Sequence, residues 1–472
     1  MSISKKKIIG AAVLAAVVSI GGTYWASKST ENRFRESMES VEKIADYGIK
    51  VTVLDYQRSF FSATARTEWV LKDTREETEE QSGKKPLTLT FNHSIKHGPL
   101  LAFASAARIH SELVPTAEFT NSLVEAFGSD PFDGKTPLTV VSTFGLAGGS
   151  HDRFILPKFD ASISPKTDDS AETDDSSPKV QTQVSWGGLN GEITTNSSYS
   201  KIKTKIELGG LTLAENVQNQ PEGNLLQMGR ASLQADLAKP SGYENFFIGT
   251  LNIAMDKLSF RNTDKDTGEI QSFALENVNT ETDTSLKKGG MNTKIRFGAN
   301  MLQMEGKSQF AIDKLGVTLM YENVDANTVE AISGLAKNAQ DEEQRQQELF
   351  LVLQKQAEPL LKRKPTFSIK DLNVTTQEGV TKGNLRIAYM GNGDPDQLSP
   401  NDLAVDFKFN VPNALLVRLF EDKASESISS LVEEGVLIEK DGILSIDASF
   451  KKGALTLNGK QESLEALQGL LR

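Results

Sequence analysis

The sequence predicts a β-dominated α+β protein: a large, twisted antiparallel sheet carrying a few packing helices, preceded by one N-terminal transmembrane helix. Three observations lead there. Lys5, Lys6 and Lys7 precede an uncharged run from Ile8 to Ala26, and at ~1.5 Å per residue such a run reaches about as far as the ~30 Å hydrocarbon core of a bilayer. From Ile49 onward, segments rich in β-branched and aromatic residues alternate with Ser, Thr and Lys, the period-two pattern of strands with one buried and one wet face. Stretches with helical spacing are few for a chain of 472 residues.

The N-terminal run ends in the interfacial pair Tyr24 and Trp25 and reads as an uncleaved anchor. A cleaved signal peptide is the alternative, left open by the small residues around Ser19 to Gly22. Tyr24 is a poor fit three residues before a cut after Ala26. The positive-inside rule then puts Lys5 to Lys7 in the cytoplasm and everything after about residue 28 outside the inner membrane, in a Gram-negative cell the periplasm. Residues 1–27 are thus a cytoplasmic stub and anchor. Residues 28–48 carry Phe34, Met38, Val41, Ile44 and Tyr47 as one apolar stripe, an amphipathic helix that Gly48 can end.

The remainder reads as two β-rich parts, residues 49–220 and 221–472. In the first, "KVTVLDYQRSFFSATARTEWVLK", "PLTLTFNHSIKH", "TPLTVVSTFGLAGG" and "KVQTQVSWGGLNGEITTNSSYSKIKTKIEL" are strands. Residues 100–125 read as one or two helices broken near Pro115. The acidic stretches "KDTREETEEQSGKK" and "SPKTDDSAETDDSSPK", the second within a loop over 163–180, lack apolar residues to pack and read as disordered loops. In the second part, residues 327–357 read as one long helix with the polar middle "NAQDEEQRQQE", stopped before Pro359. A helix over 412–434 starts at Pro412 and is capped by Gly435. The chain then returns to strands with turns at Asp441-Gly442 and Lys452-Gly453. "NIAMDKLSF", "QFAIDKLGV" and "TFSIKDLNV" start at 252, 309 and 366, two equal steps of 57 residues. Each reads as a strand whose apolar face is carried past a side-by-side charged pair by a bulge or a crossing.

A net charge of −11 and a pI of about 5.2 argue against nucleic acid, whose backbone requires clustered Lys and Arg. The absence of cysteine excludes disulfides, thiolate chemistry and Cys-ligated zinc. His93 and His97 lie four apart, but their flanks read as strand and no HExxH is present, so "SIKHGPLL" reads as a junction. Gly98 supplies unusual backbone angles, Pro99 starts the next element, and His97 bonds a nearby carbonyl. "STFGLAGGSHDRF" reads as a strand corner, and "WGGLNGE" as a twisted strand with a bulge. No catalytic motif, metal site or cofactor site is found, and a non-enzymatic protein is expected. A buried, strongly shifted carboxylate beside His97 or His151 would argue for an enzyme instead.

The anchor, "YQRSFFSATA" at 56–65, "IKHGPLL" at 95–101, "STFGLAGG" at 142–149 and "LTLNGK" at 455–460 together resemble the YdgA-like family of Gram-negative inner-membrane-anchored envelope proteins. That family carries a domain of unknown function. Tyr56, Arg58, Phe61 and Ser62 match its usual opening motif, with Ser59 in place of a glycine, and His97, Gly98 and Pro99 match the second. The resemblance implies an inner-membrane protein, anchored through residues 8–26, with a large periplasmic part, and supplies no catalytic residues. The strand pattern is also reminiscent of AsmA-like envelope proteins, which would imply a curved sheet whose apolar side chains hold acyl chains. Ile253, Met255, Phe310, Ile312, Phe367 and Ile369 would then face an open groove. The expected role is envelope binding or bridging, with lipid or another envelope protein as partner. The alternative is a scaffold that self-associates, forming a homo-oligomer through the helix at 327–357, or binds an envelope protein without a small ligand.

Overall fold

A computed structural model describes residues 34, 35, 38, 49–59, 61–71, 87–97, 105–145, 148–163, 180–217, 223–263, 267, 269–305, 310–338, 342–420 and 422–462. The expected anchor at 8–26, most of the amphipathic helix, both acidic loops, Gly98 and Pro99 lie outside the described residues. Among the described residues no helix is long and apolar enough to cross a membrane. The chain divides into two units, residues 1–236 with 258–270, and residues 237–257 with 271–472. The protein is dominated by strands, and every strand register described below is antiparallel.

The first unit begins with β1 (Ile49–Arg58), β2 (Ser62–Leu71), β3 (Leu87–His97), β4 (Ser105–Val114), β5 (Thr139–Gly145) and β6 (Ser150–Leu156), each paired with the next. The ladder continues through β9 (Leu189–Thr195) and β10 (Lys201–Leu208) to β13 (Ala231–Ala238). A second ladder joins β7 (Phe159–Ile163), β8 (Val180–Trp186), β11 (Leu211–Val217), β12 (Leu225–Met228) and the end of β14 (Ile248–Thr263). Alternation decides what goes inside. Trp69, Leu89, Phe91, Ile95, Ile109, Val140, Phe144 and Phe154 point inward from the first ladder and form one buried cluster with Trp186, Phe34 and Met38. Phe34 and Met38 are helical, while Val41, Ile44 and Tyr47 of the same stripe lie outside the described residues. Helix α1 (Ala117–Phe127) starts at Thr116, whose hydroxyl accepts the Phe119 N–H, and ends at Gly128 with φ 75°.

The two ladders are one sheet folded along a crease. β6 passes into β7 at residues 157–158, β8 into β9 at Gly187-Gly188, and β10 into β11 at Gly209-Gly210. There the Gly187 N–H donates to the Gly210 carbonyl (2.9 Å) and the Gly209 N–H to the Gly188 carbonyl (2.8 Å). A Cβ on Gly187 would lie 2.4 Å from the Gly209 backbone, and one on Gly209 would lie 2.1 Å from the Gly187 oxygen; Gly188 and Gly210 have φ +88° and +110°. Only glycine permits this approach and these angles. "WGGLNGE" is therefore a corner in which neighbouring strands turn together.

The second unit is an up-and-down meander. β15 (Ile270–Lys287) pairs in succession with β16 (Gly290–Ala299) and β17 (Met301–Glu305). β18 (Phe310–Ile312) pairs with β17, and β19 (Lys314–Asp325) with β16. β20 (Thr366–Thr376), β21 (Gly379–Tyr389), β22 (Leu403–Pro412) and β24 (Ile443–Lys451) follow in order, while β23 (Ile438–Lys440) and β25 (Ala454–Leu457) share the outer edge of β24 and β26 (Lys460–Glu462) closes on β25. The turns Asp441-Gly442 and Lys452-Gly453 have positive φ at both residues, as two-residue hairpins of the right twist require. Lys288-Gly289 and Asn458-Gly459 repeat the device.

Three expectations about helices are corrected. Residues 105–114 form strand β4, not helix: Ala107, Ile109, Ser111 and Leu113 are buried while Arg108, His110 and Glu112 are exposed, and pairing with β3 and β5 overrides the helix-forming composition. The long helix at 327–357 is two, α2 (Ala326–Asn338) and α3 (Glu342–Lys362), and α3 runs through Pro359. The proline removes the bond to the Lys355 carbonyl, and half-buried Leu360 and Leu361 continue the packing past it. Residues 412–434 hold α4 (Asn413–Phe420) and α5 (Asp422–Glu433), and Pro412 is the last strand residue, opposite Ile443. Gly435 does cap α5, with φ 74° and its N–H on the Val432 carbonyl.

Candidate apolar binding face

Residues opposite one another in paired strands project from the same face of a sheet. In the second unit this builds continuous apolar rows. One runs Tyr321, Phe367, Ile387, Val405, Phe450, Leu455 across β19, β20, β21, β22, β24 and β25. The next, two residues along each strand, runs Leu319, Ile369, Leu385, Phe407, Ala448, Leu457. The third passes through a bulge: Ile369 opposes Leu385 and Leu372 opposes Gly383, so Lys370-Asp371 is the extra step, with Asp371 at φ 54°. Beyond it, Phe409 packs with Val411, Leu415, Ile428 and Leu444 in the cluster beneath α4 and α5.

The helices thus cover one end of this face. The first two rows belong to no buried cluster among the described residues, and of their twelve side chains only Leu455 is buried. Tyr321 is 39% exposed and Ile387 36%. On the opposite face the same strands carry Arg386–Asp406 (3.8 Å), Lys451–Asp406 (2.8 Å) and Lys408–Asp447 (2.7 Å) ion pairs, along with small, buried Ser368, Ala388 and Ala404.

Of the residues expected to line a groove, Phe367 and Ile369 sit in these rows. Phe310 opposes Met304, itself opposite Phe273, and Ile312 opposes Leu302 and, through it, Leu275, two further apolar rows. Ile253, exposed, and Met255, half-buried, lie on β14 and belong to none of these rows. Tyr321, Leu385, Ile387, Val405, Phe407 and Phe450 were not anticipated. For Leu385, Ile387, Val405 and Phe407 the signal is the i, i+2, i+4 alternation of "LRIAY" and "VDFKF". Among the family-motif positions, Tyr56 packs against the core of the first unit with its ring 5.7 Å from Phe34, while Arg58, Phe61 and Ser62 are exposed. His97 ends β3, its N–H bonded to the Phe61 carbonyl at 3.0 Å.

The first unit buries two ionisable groups among apolar residues. His93 is held between hydroxyls, Nε2 2.8 Å from Thr67 Oγ1 and Nδ1 2.8 Å from Ser111 Oγ, and Trp69 Nε1–H donates to Thr67. Burial lowers its pKa to about 3, because desolvation penalises the imidazolium. Asp152 receives a 2.7 Å hydrogen bond from Ser150 Oγ, and burial raises its pKa to about 7 against the opposing pull of Ser142 and Ser150. Asp152 is thus a buried, shifted carboxylate next in sequence to His151. The strand alternation turns His151 outward, onto Thr194, and β4 and β5 intervene between Asp152 and His97. At about 4.8 Å per strand that is beyond hydrogen-bond reach. Asp152 faces serines, so no acid–base pair is assembled there.

No curated protein and no solved structure matches the chain. A family described as "Bacterial protein of unknown function (DUF945)" matches residues 5–465, nearly the whole length, and the chain belongs to that family.

Proposed function

We propose that this is a non-enzymatic, membrane-anchored periplasmic protein of the bacterial envelope that holds the acyl chains of a lipid against the apolar face of its second unit. The observation that carries the reading is the pair of adjacent rows from Tyr321 to Leu455 and from Leu319 to Leu457, apolar throughout and, but for Leu455, left unburied. A contiguous apolar surface that is only half-buried, with Tyr321 and Ile387 exposed, supports a binding role. The anchor rests on Lys5 to Lys7 ahead of the uncharged run from Ile8 to Ala26, which also sets the orientation.

The test is native mass spectrometry and lipid extraction on the gently purified full chain. Lipid at one or more equivalents, lost in Phe367→Asp with Ile387→Asp while the protein stays folded, is the expected outcome. A variant that retains as much lipid as the parent sinks the proposal. A second reading, a protein partner or second copy at α3, is favoured by Phe350 at 68% exposure beside exposed Leu351 and Leu353. It predicts that Phe350→Ser with Leu351→Ser changes the sedimentation coefficient of the complex and leaves lipid content alone.

A further inference from the structure

At the strand ends bordering the apolar rows two adjoining segments carry five basic residues in a chain of net charge −11, while Asp394 and Asp396 lie on the loop whose Gly393 abuts Lys362. Lys287 ends β15 and Lys288 starts the turn into β16, while Lys362 ends α3 and Arg363 and Lys364 lead from it towards β20. The fold holds these two segments together. Arg363 Nη1 donates to the Lys288 carbonyl, Arg363 Nε lies 3.4 Å from buried Asp325 Oδ2, and the Ala326 N–H donates to the Gly289 carbonyl at 3.1 Å. Asp325 is itself fixed by accepting the Asn327 and Thr328 N–H groups at the start of α2. Arg363 is thus a structural tie, and Lys362 pairs with Glu358. Lys287, Lys288 and Lys364 are exposed, and among the described residues none has a carboxylate partner. Phe367, in the first apolar row, lies three residues beyond Lys364, at most about 10 Å along an extended strand.

We infer that this basic edge receives the anionic headgroup of the lipid whose chains lie on the adjoining face, so that the ligand is a phosphate-bearing acidic lipid and not a neutral or zwitterionic one. The inference rests on the lipid reading above and specifies it. Three ammonium groups with no carboxylate partner among the described residues, beside an apolar surface, match an amphiphile with a negative head and hydrocarbon tails. Each Lys close to an anionic headgroup strengthens binding severalfold, in a salt-dependent way. A neutral head would leave the lysines without counter-charge and confer no preference for this end of the face.

The experiment uses the full chain with photoreactive p-benzoylphenylalanine at Ile387, in neutral-detergent micelles doped with fluorescent phosphatidylglycerol or, in parallel, phosphatidylcholine. The expected result is a crosslink yield at least about fivefold higher for phosphatidylglycerol. That preference falls to near unity in Lys287→Gln/Lys288→Gln/Lys364→Gln. In the parent chain it also shrinks as salt rises from about 50 to 500 mM, a readout independent of whether the triple variant folds. Equal yields from the two lipids overturn the headgroup assignment while leaving the lipid reading intact; no crosslink to either overturns both. Inorganic phosphate that abolishes the preference at concentrations comparable to the lipid overturns it in favour of a free anion.

Discussion

The two units are built from the same kind of antiparallel strand and treat its apolar side in opposite ways. In the first, the sheet folds back along the Gly187 and Gly209 crease, and with Phe34, Met38 and α1 it encloses Trp69, Phe91, Phe144 and Phe154. In the second, α4 and α5 cover only the end around Phe409, Val411 and Leu444, and Tyr321, Phe367, Ile387 and Phe407 remain unburied. An apolar face that evolution has enclosed contributes stability. One left open makes its contribution when something else arrives to cover it.

That contrast is sharpest in truncation energies. Trp69→Ala is expected to cost about 3–5 kcal/mol, whereas Ile387→Ala in the second unit, at a side chain 36% exposed, costs below about 1.5 kcal/mol, since less burial is lost. Hydrogen exchange read strand by strand separates the units, and equal losses in both would erase the distinction. The crease is the next place to break it: Gly209→Ala brings a Cβ to 2.1 Å from a backbone oxygen and is expected to cost about 1–3 kcal/mol, with exchange accelerating in β8 through β11.

Buried ionisable groups give the enclosed unit a pH signature. His93, depressed to about 3 from 6.5, contributes stability that is complete above pH 6.5 and is lost as pH falls toward 3. Asp152, raised to about 7 from 3.8, contributes stability that is complete below pH 3.8 and is lost as pH rises to 7. Each slope is about 1.4 kcal/mol per pH unit, and over about pH 4 to 6.5 they oppose. Asp152→Asn therefore leaves a stability that climbs with pH across that window relative to the parent, and His93→Gln one that declines. Urea midpoints at pH 4.5, 5.5 and 6.5 check both, and parallel curves for parent and variants contradict the assignment. The smallest effect belongs to Gly442→Ala in the open unit. Nothing lies within 4 Å of its Cβ and only φ +73° opposes it, for about 1 kcal/mol in a thermal melt.

How much of this was written in local sequence varies by element. The alternation in "LTLTFNHSIKH" places β3 and sends His93 inward, and Asp441-Gly442 states its own hairpin. "SAARIHSELV" does not read as a strand, because Ala, Glu and Leu favour helix and only the partners on either side of β4 decide otherwise. Trp186-Gly187-Gly188 suggested a bulge, but a crease needs Gly209-Gly210 to arrive beside it, a fact about register. The apolar face was legible in part: Phe367 and Ile369 came from a strand motif, while Ile387 and Val405 join them only through pairings that no single strand encodes. Of the three charged pairs expected to carry a strand past a bulge, Lys370-Asp371 does so, whereas Asp313 separates β18 from β19.

The chain has no cysteine, so a single introduced thiol reports its own surroundings. Maleimide labelling of Ile387→Cys, with Ala107→Cys in the enclosed core as reference, tests the central claim most directly. The account predicts that lipid-stripped Ile387→Cys reacts readily and slows at least about tenfold when phosphatidylglycerol is restored, while Ala107→Cys stays unreactive throughout. An Ile387→Cys thiol as inert as the core one without lipid, or equally reactive with and without it, would contradict the account.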